Sequence, residues 1–120
     1  MNVSIRPLQI EDAYTSVIWR NDPDVFKYTR NTYNHIITIE SELEWIKRVI
    51  VNTDEYRCAI IVGDKYVGNI YLTNIDNEKA EYHIFIGNKS FLGKGVAKKA
   101  SIEIMRYGFE HLNLKKIVLE

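Results

Sequence analysis

The order of its predicted elements places the chain in the α+β class, with a mixed, mainly antiparallel sheet. Two segments rich in β-branched and aromatic residues, 57–62 and 66–73, are joined by Gly63-Asp64-Lys65, which is typical of an antiparallel hairpin. A third strand is predicted over 80–86, and a helical segment over 96–112 then leads to a strand over 116–120. Because a strand reached through a helical crossover runs parallel to the one before it, the sheet is mixed.

The first half of the chain supplies one strand and two helices. The strand is predicted over 3–6, and a broken helix follows over 8–20 and 24–28, interrupted at Asn21-Asp22-Pro23. Thr38 is predicted to cap a helix over 39–51. The apolar face of that helix is expected to hold Leu43, Ile46, Val49 and Ile50, and that of the helix over 96–112 to hold Ala97, Ala100, Ile104, Tyr107 and Leu112.

Length and composition favour a single globular domain over residues 1–120. The chain is 46% hydrophobic and 27% charged, which is typical of a folded protein. Its sixteen basic and sixteen acidic residues cancel, so nucleic acid is not expected as the main partner. The N-terminus lacks a signal-peptide pattern and no apolar run matches a membrane helix, so we expect a cytoplasmic protein without a membrane partner.

Cys58 is the single cysteine of the sequence. An internal disulfide and a thiolate metal cluster are therefore excluded, and no metal site is expected. The residue sits in an apolar segment with strand character, which favours a buried structural role over a nucleophilic one.

Two glycines mark a candidate anion site between the strand over 80–86 and the next helix. They lie in Phe91-Leu92-Gly93-Lys94-Gly95-Val96-Ala97, where a helix leaves its first amides unpaired. Glycine lets the backbone approach a ligand closely, and the helix dipole favours a diphosphate. A solvated helix start is the alternative interpretation. Basic residues crowd this loop and could attract a further phosphate: Lys89, Lys94, Lys98 and Lys99.

Neither of two familiar phosphate-binding patterns fits this loop. A Walker loop needs Ser or Thr after Gly-Lys, and the dinucleotide fingerprint needs a third glycine where Lys98 stands. The six residues from Leu92 to Ala97 instead resemble the Gln/Arg-x-x-Gly-x-Gly/Ala turn of GNAT N-acetyltransferases, with Leu92 as the one departure. Apolar residues often stand there in the RimJ/RimL-like branch, which acetylates ribosomal-protein N-termini and small amines.

The resemblance extends along nearly the whole chain, and it implies a fold and a cofactor. The stretches that carry it are Ile5-Arg6-Pro7-Leu8, Trp19-Arg20-Asn21-Asp22-Pro23, Val67-Gly68-Asn69-Ile70, Ala80-Glu81-Tyr82 and Tyr107-Gly108-Phe109. It implies the GNAT acyl-CoA N-acyltransferase fold, with helices on both faces of the sheet but without the family's last helix and two strands. The cofactor is then acetyl-CoA, bound by Leu92, Gly93, Lys94, Gly95, Val96, Ala97 and Lys98.

The resemblance also implies where the rest of the site lies. The strand carrying Ile84 and Ile86 is expected to splay from its parallel neighbour and accept the pantetheine arm. Glu81, whose pKa burial would raise, is the first candidate for the base that deprotonates the amine, and a strand-edge salt bridge is the alternative. His83 lies on the same strand face and could relay the proton or serve the core.

The acceptor is expected to be a primary amine of an amino sugar, a polyamine or a protein N-terminus. Trp19, Arg20 and Tyr28 are predicted to wall its pocket, with core packing as the alternative for Trp19. A catalytically impaired CoA-binding or assembly module is the rival function, because the sequence lacks the family's tyrosine-bearing helix. The apolar strand over 116–120 would be an open edge, which predicts a homodimer or a truncated product.

Overall fold

A computed structural model describes residues 1–22 and 36–119. The part 24–28 of the predicted broken helix, and Tyr28 with it, lies outside the described residues. The described chain contains five strands, β1 to β5, and three helices, α1 to α3. In chain order they are β1 (Val3–Pro7), α1 (Ala13–Arg20), α2 (Ile39–Val49), β2 (Tyr56–Val62), β3 (Lys65–Thr73), β4 (Lys79–Ile86), α3 (Val96–Glu110) and β5 (Lys116–Leu119).

The described strands form one sheet in the order β1-β2-β3-β4-β5. Neighbours from β1 to β4 pair antiparallel, and β4 and β5 pair parallel, from Lys79 with Lys116 to Tyr82 with Leu119. The crossover through α3 explains the parallel pair, because a hairpin turn can only reverse the chain. The predicted α+β class and mixed sheet are confirmed.

Helices cover both faces of the sheet. On one face, α3 buries Val96, Ala100 and Ile104 against Ile70 and Leu72 of β3. On the other face, Ile46 of α2 packs with Ala13 of α1, Leu8 and Ala59. Two separate apolar clusters therefore hold the sheet between two layers.

The ends of several elements differ from the sequence predictions. The helix predicted from residue 8 begins with a 3-10 turn, Ile10–Asp12, and α1 itself starts at Ala13. Asp12 accepts two hydrogen bonds from Arg6, at 2.8 and 2.9 Å, and one from the Gln9 amide, which fixes this entry to the helix. In the β2–β3 hairpin Lys65 pairs with Val62, so the turn is Gly63-Asp64 alone.

The long helices also end earlier than predicted. Helix α2 begins at the predicted cap, since Thr38 Oγ1 accepts from the Ser41 amide at 3.1 Å, but it ends at Val49. The prediction that Ile50 belongs to its buried face is wrong, because Ile50 follows the last turn and is 38% exposed. Helix α3 ends at Glu110, and Ala97, predicted near its apolar face, is exposed.

Two simpler expectations concern the core and the surface. Cys58 is fully buried in β2, as predicted, and burial raises the pKa of its thiol to about 11. None of the helices in the described ranges has the length and apolarity needed to cross a membrane.

Candidate functional site

The glycine loop lies directly before α3, and its two glycines both have a left-handed backbone. Gly93 has φ +72° and Gly95, the N-cap of α3, has φ +79°, both in the left-handed region that side chains disfavour. A Cβ placed on either glycine would have no atom of the described residues within 4 Å apart from the adjacent residues, so no described side chain covers the backbone here. A ligand can therefore reach the main chain directly.

The amides of this loop are available to such a ligand. Among hydrogen bonds between described residues, the Lys99 amide is the first of α3 to donate along the helix, to Gly95 O at 3.2 Å. The amides from Gly95 to Lys98 precede it and lie at the positive end of the helix dipole. Val96 is buried in the core, whereas the Leu92 side chain is 51% exposed. The loop thus presents its backbone groups together with the Leu92 side chain, whereas the Val96 side chain faces inward.

Four lysines surround the loop, but they are not equivalent. Lys89 forms an ion pair with Asp22 at 3.1 Å, and Lys99 Nζ donates to Met1 O at 3.2 Å. Lys94 Nζ lies 6.0 Å from the centre of the Phe91 ring, and Lys98 is exposed. The two lysines nearest the glycines are therefore the ones placed to meet an additional phosphate.

Strand β4 leads into this loop and has one incompletely paired edge. Its partner β5 pairs with it as far as Tyr82, while β3 pairs with it along its other edge to Ile86. In the described part of the chain, residues 83–86 therefore have a strand neighbour on the β3 side only. The side chains of Ile84 and Ile86 pack into the core under α3, which leaves their backbone as the part that can face a ligand.

Glu81 and His83 lie on the opposite face of β4, toward α1 and α2, because their neighbours in the strand join the α3 core. Glu81 is half-buried and its Oε2 accepts from Asn74 Nδ2 at 2.5 Å, so the apolar burial expected from sequence is incomplete. His83 Nε2 lies 3.0 Å from the hydroxyl of buried Thr73. The two side chains are neighbours on one strand face. Each forms a hydrogen bond with a residue at the end of β3 or just after it.

The predicted acceptor wall is only partly available for contact. Trp19 is 7% exposed and packs against Tyr66 and Phe85, with ring centres 4.7 and 5.9 Å apart, as the core alternative expects. The Arg20 guanidinium lies 3.1 Å from Glu42 Oε1 and over the Trp45 ring. Tyr28 lies outside the described residues.

Sequence reasoning missed the buried carboxylate that Arg20 binds. Glu42 is 1% exposed, and Ser16 Oγ donates to its Oε2 at 2.6 Å. The signal was present, because Glu42 precedes Ile46 and Val49 by four and seven residues and so shares their helix face. Glu42 joins α1 to α2 and fixes the orientation of Arg20.

Comparison with known proteins identifies this arrangement. The family model described as "Acetyltransferase (GNAT) domain" matches residues 2–120. The chain belongs to the GNAT acetyltransferase family. The glycine loop at the start of α3 lies within the matched GNAT domain.

Curated relatives of this GNAT chain are acetyltransferases by name. It is 29% identical to "Uncharacterized N-acetyltransferase p20" of Bacillus licheniformis, over 96% of this chain and 67% of the relative. It is 26% identical to "Acetyltransferase PseH" of Campylobacter jejuni, over 82% of this chain and 59% of the relative. The GNAT chain therefore spans about two thirds of the first relative and less of the second.

Solved structures share the fold of this GNAT domain. A spermidine N-acetyltransferase of Vibrio cholerae, crystallised with CoA and spermine, matches with a TM-score of 0.83 at 23% identity, covering 98% of this chain and 69% of that one. A probable acetyltransferase matches with a TM-score of 0.80 at 25% identity, covering 98% and 68%. The GNAT fold predicted from the sequence is confirmed.

Proposed function

We propose that this GNAT domain transfers an acetyl group from acetyl-CoA to a primary amine. The observation that carries the proposal is the bare backbone at Gly93 and Gly95 in front of the α3 N-terminus. A diphosphate fits such a place, because unpaired amides and the helix dipole both favour negative charge, and no side chain of the described residues covers the two glycines. A structural neighbour of the same fold was crystallised with CoA, which supports the choice of ligand.

The residues expected to hold the cofactor follow from this geometry. The amides from Gly93 to Lys98 would bind the diphosphate, and Lys94 and Lys98 would attract the ribose phosphate. The backbone of β4 at Ile84 and Ile86 would hold the pantetheine arm, and its amides would supply hydrogen bonds to the thioester carbonyl. When bound, acetyl-CoA supplies an acetyl group already activated as a thioester.

The face of β4 toward α1 and α2 is the proposed place of the acceptor amine. Glu81 accepts a proton from the ammonium group, directly or through water, because a protonated amine has no lone pair for attack. His83, two residues along the same face, relays that proton. Arg20, held by Glu42, contributes to the pocket wall, and Trp19 supports that wall from within the core.

The acceptor class is an amino sugar, a polyamine or a protein N-terminus, and we assign the chain to the RimJ/RimL-like branch. One relative is PseH of Campylobacter jejuni, and structural neighbours are spermidine N-acetyltransferases. The prediction that the chain is a truncated member of its family stays a prediction, as does the homodimer.

A second candidate function is a CoA-binding module that transfers acetyl groups poorly. One observation favours it: among the described residues Glu81 is half-buried, and its Oε2 accepts a hydrogen bond from Asn74. Such an environment gives weaker control of a proton than a closed pocket. Thiol release distinguishes the two functions.

Two measurements test the proposal. Calorimetry with CoA and acetyl-CoA is expected to show binding, and no heat at millimolar ligand would remove the basis of both candidate functions. A thiol-release assay with amino sugars, polyamines and N-terminal peptides is then expected to show turnover with one class. Binding without release for any amine favours the module over the enzyme.

A further inference from the structure

The end of β4 makes an unusually close approach to β3. Gly68 of β3 lies opposite Ile86, the last residue of β4. A Cβ at position 68 would overlap the carbonyl oxygen of Phe85 and lie 3.1 Å from Ile86 Cα. That Cβ would point toward α3, because Ile60, the partner of Gly68 in β2, belongs to the core under α3. The 85–86 peptide therefore leans over β3 where only glycine leaves room.

The chain continues in the same direction after β4. The amides of Gly87 and Asn88 both donate to Val67 O, at 2.9 and 3.0 Å. Two successive amides on one carbonyl end the regular ladder and draw the chain toward β3. The end of β4 is thus held toward β3, and away from the side on which β5 pairs with residues 79–82.

A third contact holds the same point from the other layer. A Cβ on Gly87 would overlap the indole ring of Trp19, so the ring rests directly on the Gly87 backbone. Tyr66 and Phe85 contact the same indole and fix its place. Trp19, which is almost fully buried, therefore supports the backbone at the end of β4.

We propose that Gly68, Gly87 and Trp19 are positioning residues that fix where the slot along β4 lies. The slot is the edge of residues 83–86 that β3 does not occupy. Together the three residues keep the end of β4 over β3, and so fix the position of the edge that would meet an extended arm. The inference rests on the proposed function, in which this slot receives the pantetheine arm of the cofactor.

Gly68→Ala tests the inference, because the new methyl group meets backbone atoms that cannot rotate away. The end of β4 then has to move off β3 and into the slot. CoA affinity is expected to fall by about tenfold or more, given the cost of overpacking. Affinity for 3′-phospho-ADP, which has the phosphates but no arm, is expected to stay within about twofold, since the loop alone binds it.

Gly63→Ala is the matched control. It also replaces a glycine by alanine and adds strain, at φ +65°, but its Cβ meets no atom within 4 Å and it lies in the β2–β3 turn. This control should bind both ligands like the wild type. Equal loss of both ligands in Gly68→Ala, or unchanged CoA binding, would overturn the inference. Failure of the wild type to bind either ligand would instead overturn the proposed function.

If Gly68→Ala does not fold, Trp19→Phe tests whether the position of the end of β4 controls CoA binding. The smaller ring leaves Gly87 unsupported, so the Gly87 and Asn88 amides should exchange hydrogen faster. CoA affinity should fall while 3′-phospho-ADP affinity is kept. Faster exchange with unchanged CoA binding would show that the position of this segment does not control the slot.

Discussion

Glu81 and Glu78 offer a comparison between two carboxylates at one end of β4. Glu81 lies on the strand face toward α1 and α2, whereas Glu78 is exposed in the preceding turn. If Glu81 takes the proton of the amine, Glu81→Gln should lower kcat by about 100-fold or more, with little change in CoA affinity. Glu78→Gln removes the same charge nearby and should leave kcat unchanged. Equal kcat values for the two variants would exclude Glu81 as the base.

Cys58 predicts a measurable loss of stability at alkaline pH. Burial raises the pKa of its thiol from 9.0 to about 11, so between these values the unfolded chain releases a proton that the folded chain keeps. Stability from this group is complete below pH 9 and falls above it by about 1.4 kcal/mol per pH unit. Urea unfolding should show this component in the wild type and lose it in Cys58→Ala. An identical pH slope in both proteins would contradict the burial of a neutral thiol.

At the scale of elements, the sequence predicted the types and order of the helices and strands better than the contacts between them. The hairpin turn, the Thr38 cap and the crossover helix follow from local chemistry, which is why their types and order were predictable. The close approach of β4 to Gly68 brings together residues that are far apart in the sequence. Their spacing could not be predicted from local sequence patterns. The partners of buried Glu42 were not predictable in the same way, because Ser16 and Arg20 come from another helix.

The candidate site divides in the same way. The glycine loop was predictable because Gly93 and Gly95 carry their own backbone requirement. For Trp19 the sequence left two interpretations open, a pocket wall and core packing, since an aromatic ring on a helix suits both equally well. Local backbone conformation could therefore be predicted from the residue types, whereas the contacts between the helices and the sheet depend on how the whole chain packs.

Helix α3 gives the prediction that belongs to an element. Gly95 occupies its N-cap with φ +79°, so Gly95→Ala should reduce the free energy of unfolding by about 1 kcal/mol. The methyl group would also stand where the ligand approaches, so CoA affinity should fall. Gly63→Ala, with a similar φ and similarly open surroundings, should lose comparable stability and keep its affinity. If both variants bind CoA equally, the ligand does not approach this glycine.

At the scale of the whole molecule, β5 leaves an apolar edge on the described sheet. Val118 is 36% and Leu119 75% exposed, and β5 has a described neighbour on one side only. Open apolar edges recruit further strands, so this 120-residue chain should associate as its concentration rises. Leu119→Lys should reduce the mass seen by light scattering, and Ile36→Lys, at a site 77% exposed and outside the sheet, should not. A wild type that stays monomeric at all concentrations would refute this expectation.

The account depends on backbone amides at the start of α3 binding a diphosphate, and one titration measures this directly. Nitrogen-15 spectra recorded during addition of CoA should show the largest, saturable shifts at the amides of Gly93, Gly95, Val96 and Ala97. Amides of α2, on the other face of the sheet, such as Val49, should stay in place. Saturable binding of CoA that leaves the four loop amides unmoved, or no binding at millimolar ligand, would contradict the account.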